Sequence, residues 1–291
     1  MKLTMKFILL LGVACLVVGL IGTAATLKDV DWNTAGVDID LEKKLPAADI
    51  RRFSIEADTT PITFLPSSTD EIVIHLKGTV SEQQAEYVNI DTDGSGAQDV
   101  KAVIRTDKKF HIGISVADIK SWMSDYRLRA EVELPGKLYD ELRVKTDIGS
   151  IELNDVKAQT LIGQTNTGRI HVGRFEGQSL QLQTDTGGIE VEEATGDVRL
   201  QTDTGSIRAG LRDPGKTISA SSDIGSIGLR LLSPLDSASF DLTSDIGGID
   251  FSVPGAAVDE RERHRLHGTL GDGSGTHIRV QTDTGHIEVT K

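Results

Sequence analysis

The sequence is short of cysteine, aromatic residues and positive charge. Cys15 is the only cysteine, so everything after it has no disulfide and no Cys-based zinc site. The aromatics are 7 Phe, 3 Tyr and 2 Trp in 291 residues. That scarcity speaks against a wide core. With only Trp32 and Trp122 as indoles, it also speaks against the ring faces that ligand pockets commonly offer. Lys+Arg total 31 against Asp+Glu 44, a net charge of -13. Nucleic acid and an anionic lipid surface are therefore excluded as main partners, because both need a basic face. No GxSxG elbow, HExxH pair or phosphate-binding loop occurs. What the chain does have is glycine, 30 residues, within an otherwise ordinary 38% hydrophobic and 26% charged composition. It reads as a folded chain with many tight turns and narrow cores.

One long apolar run stands at the start. Phe7 to Leu27 carries no charge, is preceded by Lys2 and Lys6, and is followed by Asp29 and Asp31. As a helix it would span about 31 Å, close to the hydrocarbon thickness of a bilayer. The flanking charges predict a cytoplasmic N-terminus and export of everything beyond residue 28. The exported part then carries 29 − 44 = −15. Three fates are open for residues 1–27: an uncleaved single-span anchor, which the length fits best; a signal peptide cleaved near Thr23-Ala24-Ala25; or a lipoprotein signal at Cys15. The expected location is a bacterial cell membrane, single-pass, with the C-terminal part extracytoplasmic.

An internal repeat dominates the rest. The pattern Asp/Asn-Thr/Ile-Gly-x-Ile recurs at Asp147, Asn166, Asp185, Asp203, Asp223, Asp245 and Asp283, at spacings of 19, 19, 18, 20, 22 and 38. The last spacing is twice 19, so a copy is missing near residue 264, where the chain reads DERERHRLHGTLGDGSG; this predicts a decorated or inserted rung. DTTPI at Asp58 is a weaker relative. Between the turns run short alternating segments. In 179–209, Leu180, Leu182, Ile189, Val191, Val198 and Leu200 face one way, and Gln181, Gln183, Glu190, Glu192 and Arg199 the other. That is half-buried β structure. At each turn the Asp or Asn side chain is expected to accept hydrogen bonds from the turn backbone. Gly149, Gly168, Gly187, Gly205, Gly225, Gly247 and Gly285 are expected to supply positive φ.

The predicted fold is therefore all-β: a single-stranded β-helix or β-solenoid of ~19-residue rungs preceded by a transmembrane helix. Ile151, Ile170, Ile189, Ile207, Ile227, Ile249 and Ile287 would form one buried ladder. The alternative is an antiparallel sandwich with DTG-type hairpins. The expected organisation is an anchor or signal (1–27), a linker (28–50), an irregular β lead-in and cap (51–145) and the repeat (146–291), the last two forming one domain. Strands are expected at Arg52–Glu56, Glu71–Lys77, Val100–Arg105, His111–Val116 and Leu128–Leu134, and a capping helix at Ala117–Tyr126.

The apolar leader, the strand LPGKLYDELRVKTDIGSIEL (134–153) and the serial TDTGxI units together resemble a bacterial family. It is the putative-adhesin β-strand-repeat family of unknown function, which includes LiaG-like membrane-anchored proteins. The resemblance covers about Arg52 to Lys291. It implies a cell-envelope β-solenoid and no known catalytic residues. The charged stretch Asp259–His267 departs from the family's regular repeat.

Candidate sites are few. Asp91, Asp93, Ser95 and Asp99, with Gly96, fit part of a calcium loop, but Ala102 stands where the bidentate glutamate belongs, so a polar hairpin loop fits better. His264 and His267 form an HxxH among Arg261, Arg263 and Arg265, which disfavours a cation. Stacked aspartates such as Asp185 and Asp203 would lie about 5 Å apart, as in retaining glycosidases, but any ladder in a solenoid has that spacing. No catalytic residue, metal or cofactor is expected. The functional expectation is a non-catalytic adhesin or scaffold at the cell envelope, held to the membrane by its helix and binding an unknown envelope protein or surface glycan. An accessory role in envelope-stress signalling, suggested by the LiaG-like resemblance, and a polysaccharide-active β-helix enzyme are the alternatives.

Overall fold

The computed structural model describes residues 36–94, 98–106 and 127–291. The anchor expected at 1–27, the strand at His111–Val116, the helix at Ala117–Tyr126 and Ser95 of the calcium-loop candidate lie outside the described residues. Among the described residues no helix is long and apolar enough to cross a membrane. One helix occurs there, α1 (Glu82–Ala85), started by a capping box between Ser81 and Gln84.

The alternating segments pair in parallel, in two sheets; strands are numbered in chain order. In the first sheet the neighbours run β6 (Asp99–Arg105), β2 (Arg52–Ala57), β8 (Tyr139–Ile148), then the second half of β9 (Ile151–Thr167) and β11 (Ser179–Thr186). The second halves of β12 (Ile189–Thr204) and β13 (Ile207–Ile224) follow, then β19 (Thr276–Thr284) and β15 (Ala238–Ile246). In the second sheet they run β7 (Leu128–Pro135), β3 (Ile62–Ser67) and the first half of β9, then β10 (Ile170–Glu176) and the first halves of β12 and β13. That sheet ends in β14 (Ile227–Leu231), β20 (Ile287–Thr290) and β16 (Ile249–Ser252). Each rung contributes one strand to each sheet, joined at the Asp-x-Gly corner. The parallel register rules out the hairpin sandwich, in which successive strands would be antiparallel.

Inward side chains from both sheets meet in one core. Ile62, Ile151, Ile170, Ile189, Ile207, Ile227, Ile287 and Ile249 stand in register, one per rung, all buried. Leu161, Leu180, Val198, Ile218 and Ile278 form the matching column of the first sheet. The gap between the sheets is filled mainly by aliphatic side chains, joined by the buried rings of Phe53, Phe64, Tyr139, Phe175 and Phe240.

Two expectations need correction at the ends of the stack. The segment 28–50 is not wholly a linker. Residues Val37–Pro46 form β1, which runs antiparallel to β4 (Glu71–Val80), itself antiparallel to β7. The reason is the open edge that the second sheet would otherwise present, which β4 and β1 cover while burying Leu45. On the first sheet β5 (Asn89–Asp93) does the same for β6.

The second correction concerns the missing copy near residue 264. That stretch is not a decorated rung: β17 (Ala257–Arg261) and β18 (Arg265–Leu270) form an antiparallel hairpin that caps β15. The chain then turns back, and residues 276–290 insert as a rung between 217–231 and 238–252. The doubled spacing of 38 is thus the length of the cap, not a lost rung. Charge explains why 257–261 stays outermost: its residues are all exposed, and Asp259, Glu260 and Arg261 protect the final edge. At the other end β2 and β3 are likewise inserted, between β6/β7 and β8/β9.

Two polar fastenings hold these ends. Lys137, from the LPGKLYDEL stretch, donates through Nζ to the carbonyls of Ala47 and Ile50 (2.6 Å to the latter) and lies 5.0 Å from the Tyr139 ring centroid. Burial lowers the pKa of this ammonium. At the entry to β19, Asp272 accepts hydrogen bonds from the Ser237 hydroxyl, the Ser274 hydroxyl (2.8 Å) and the Ser274 backbone N–H (3.1 Å). These bonds depress its pKa to about 2. A carboxyl lowered on folding contributes stability that is complete above its unfolded pKa of about 3.9 and is lost as pH falls toward the folded value. An acid titration followed by NMR is therefore expected to show the Ser237 and Ser274 amides moving together in a step centred near pH 2, and Asp272→Asn is expected to remove that step.

Candidate binding surface

The corner of each rung is built by three residue types. In the seven repeated corners the residue before the Asp or Asn is Thr or Ser, and it points inward. Thr165, Thr184 and Thr202 donate their hydroxyls to the carbonyls of Gly149, Gly168 and Gly187 at 3.1, 3.1 and 2.9 Å. Ser222, Thr282 and Ser244 continue the column onto Gly205, Gly225 and Gly285 at 3.0, 2.9 and 2.8 Å. Each hydroxyl therefore ties one rung to the next inside the core. A Thr202→Val variant keeps the shape and leaves the Gly187 carbonyl without its hydroxyl donor. It is expected to cost about 1–2 kcal/mol, read from the urea midpoint.

This corrects the role expected of the aspartates. Their side chains make no hydrogen bond with the described turn backbone; Asp147, Asp185, Asp203, Asp223, Asp283 and Asp245 are exposed. The buried hydroxyl one residue earlier has already satisfied the corner, so the carboxylates are free to face water. Asn166 lies in the same column and donates to Asp147 Oδ1 at 3.5 Å, an amide set between carboxylates. The turn glycines serve close approach. At Gly168, Gly187, Gly205 and Gly225 the φ angles are 149° to 158°. A Cβ added there would fall 1.8–2.0 Å from the glycine carbonyl oxygen of the adjacent rung. Thr60 takes this position in the DTTPI variant, and its hydroxyl is the one buried side-chain polar atom left unpartnered among the described residues.

Outside the core, the register turns single residues into columns. Along the corner, Ile148, Thr167, Thr186, Thr204, Ile224, Thr284 and Ile246 succeed one another, the isoleucines more than half exposed. On the first sheet Lys145, Gln164, Gln183, Gln201, Ser221, Gln281 and Thr243 form one outer column. On the second sheet one outer column alternates in charge, Glu152, His171, Glu190, Arg208, Gly228, Glu288 and Asp250, and beside it run Gly210, Arg230 and Thr290, with Glu192 next to Gly210 at a register shift. His171 lies 4.0 Å from Glu190 and 3.5 Å from Glu192. Around Gly228 this surface dips into a cleft of about 500 Å³.

The other sequence candidates do not converge. Asp99 pairs with Arg52, whose hydrogen bond lowers the carboxyl pKa, and Asp91 pairs with Arg105 at 2.9 Å. Asp93 is exposed at the end of β5. Arginine thus already neutralises two of the carboxylates that a cation would need. In the HxxH, His264 Nδ1 meets the Ser244 carbonyl at 3.0 Å, whereas His267 lies between Asp241 and Asp259 at 3.5 and 4.0 Å. Three residues apart around a strand, they do not share a face. No group of His, Cys, Asp and Glu suited to a metal occurs among the described residues.

Comparison with solved structures finds loose likenesses. A protein described as a putative cell adhesion protein from Clostridium sporogenes is 11% identical, with 87% of this chain and 99% of that chain covered and a TM-score of 0.38. A putative adhesin from Bacteroides fragilis is 9% identical over 86% and 97%, TM-score 0.41. One from Parabacteroides distasonis is 12% identical over 88% and 99%, TM-score 0.38. No curated protein matches. The Toastrack DUF4097 family, by contrast, matches residues 50–290, which is β2 through β20 without a break. The chain belongs to the Toastrack DUF4097 family.

Proposed function

We propose that this protein is a non-catalytic binding or scaffolding rod of the cell envelope, tethered by residues 1–27 with its Toastrack domain outside the membrane. The observation that carries the reading is the register of the outer surface. Polar side chains recur once per rung, about 4.8 Å apart, on a backbone whose corners are hydrogen-bonded from within. Such an array suits recognition of an extended, repeating partner better than the capture of one small substrate. The exposed aspartates stand singly in a column, and no general acid or base is distinguished among them.

The test has two arms. Protease added outside intact cells is expected to digest the domain, and deleting residues 1–27 is expected to move it out of the membrane fraction; retention in the membrane would defeat the tether. A panel of envelope polysaccharides is expected to be bound without turnover. Hydrolysis or elimination that disappears with Asp203→Asn would replace this reading with that of a β-helix enzyme.

A further inference from the structure

The outer face of the first sheet carries three parallel columns. The middle one is the glutamine-rich column that starts at Lys145. On one side of it stand the corner aspartates and Asn166. On the other stand Arg143, Ile162, Gln181, Arg199, Ser219 and Arg279. Arginine and aspartate recur four residues apart on one strand, as Arg143 with Asp147, Arg199 with Asp203 and Arg279 with Asp283. At about 3.4 Å per residue the separation is about 14 Å, too far for the two side chains of one strand to meet. Asp185, Asp203, Asp223 and Asp283 accordingly have no ion-pair partner among the described residues, and neither has Arg199. Arg143 holds Glu141 at 3.2 Å and Arg279 lies 3.9 Å from Asp241, both in water-exposed pairs that contribute little.

A twofold axis along the middle column turns that separation into contact. It lays a second copy face to face with the first, running the same way, each rung opposite its own counterpart. The arginine column of each copy then covers the aspartate column of the other. Arg143, Arg199 and Arg279 meet Asp147, Asp203 and Asp283 of the second copy. Gln181 and Ser219 offer an amide and a hydroxyl to Asp185 and Asp223. Only Ile162, opposite Asn166, brings no donor. In the middle, Gln164, Gln183 and Gln201 face their own counterparts, amide against amide. Charge sets both limits of the match. On β15 the arginine column continues in Asp241, which would meet Asp245, and on β2 the middle column continues in Glu56, which would meet itself. Lys145 is the one like-charge meeting inside these limits. It lies on the first matched rung, where its long stem reaches outward to water. Three columns about 7 Å apart on six rungs about 4.8 Å apart outline a patch of about 20 by 29 Å. Two such patches bury about 1,200 Å², which reaches the range of specific interfaces.

We propose that this face is a parallel, twofold-symmetric interface with a second copy of this chain, its register set by the arginine–aspartate pairs. The proposal goes beyond the reading as an envelope-binding rod and does not require it. Because both copies run the same way, two chains tethered in one membrane meet without either turning over.

Sedimentation of the purified full-length chain in detergent is expected to show a dimer at about 0.1 mM that dissociates at high salt. Arg199→Asp and Asp203→Arg each set like charges opposite one another twice, and each is expected to weaken the dimer about tenfold or more. The double variant, Arg199→Asp with Asp203→Arg, exchanges the charges and is expected to restore it. Arg208→Asp, on the second sheet, is expected to change nothing. Residues 199 and 203 are exposed, so these variants keep their fold. A chain still monomeric at that concentration, a dimer indifferent to both single reversals, or a double variant no tighter than the singles would each overturn the proposal. None of these outcomes depends on the tether or on a glycan, so failure of the interface and failure of the envelope reading are told apart.

Discussion

Deleting residues 276–291 is expected to unfold more than the deleted segment. Residues 276–290 are the rung between 217–231 and 238–252, so without them β15 and β16 lose their only parallel neighbours. The deletion removes Ile278, Val280, Ile287 and Val289, each at most 1% exposed. At about 1.5–3 kcal/mol per buried side chain, the loss is of the order of 6–12 kcal/mol, comparable to the whole stability of an ordinary domain. It also uncovers Phe240, Leu242 and Leu266. Hydrogen exchange is expected to show residues 238–270 unprotected. Excising residues 234–275, a longer piece, is expected to be milder, because Ser233 then leads directly into Thr276 and the rung stays docked on its β13 and β14 partners. If the terminal deletion left 238–270 protected, the inserted order of rungs would be wrong.

Gly205→Ala is the second large effect. The new Cβ would sit 1.9 Å from the Gly187 carbonyl oxygen, in a backbone at φ 155°. Neither partner can give way, since both are main chain in the centre of the stack. The rungs must separate at the corner. That disturbs the Ser222 and Thr202 hydroxyl bonds on either side and the Ile189–Ile207 contact below. A cost of about 3 kcal/mol or more follows from strain plus overpacking. Gly228→Ala is the matched control: with open space at its Cβ, it is expected to be neutral or slightly stabilising. Urea midpoints of the two variants, measured side by side, decide whether crowding or general loss of glycine is responsible. Equal midpoints would refute the close-approach argument.

Features that repeat locally are plain in the sequence. The isoleucine after each Gly-x pair and the glycine itself recur because every rung must pass the same narrow corner. The column of inward hydroxyls is equally plain there, since Thr or Ser precedes the Asp or Asn of each repeated corner from Thr146 to Thr282. Alternation alone does not mark it, because Thr is neutral on a hydrophobic scale and the adjacent carboxylate is the stronger acceptor. Rung order is another matter. Each rung shows the same ladder to both sides, so Ile227 would pair as well with Ile249 as with Ile287, and periodicity carries no information on which is adjacent. Order is decided by the connections, among them the 257–270 hairpin, whose charges make it a poor interior rung. The Gly228 cleft escapes a sequence reading for a related reason: Arg208, Gly228 and Glu288 become neighbours only through that register.

The inserted rungs also divide the molecule into parts with different tolerance for change. Near each end, adjacency depends on chain segments distant in sequence. From β8 through β14, adjacency and sequence order coincide. Length is therefore a free variable only in the middle. A copied unit of about 19 residues placed there adds one rung and about 4.8 Å to the rod while leaving both capped ends as they are. The same unit added after residue 290 would have no edge to join, because that rung is already enclosed on both sides.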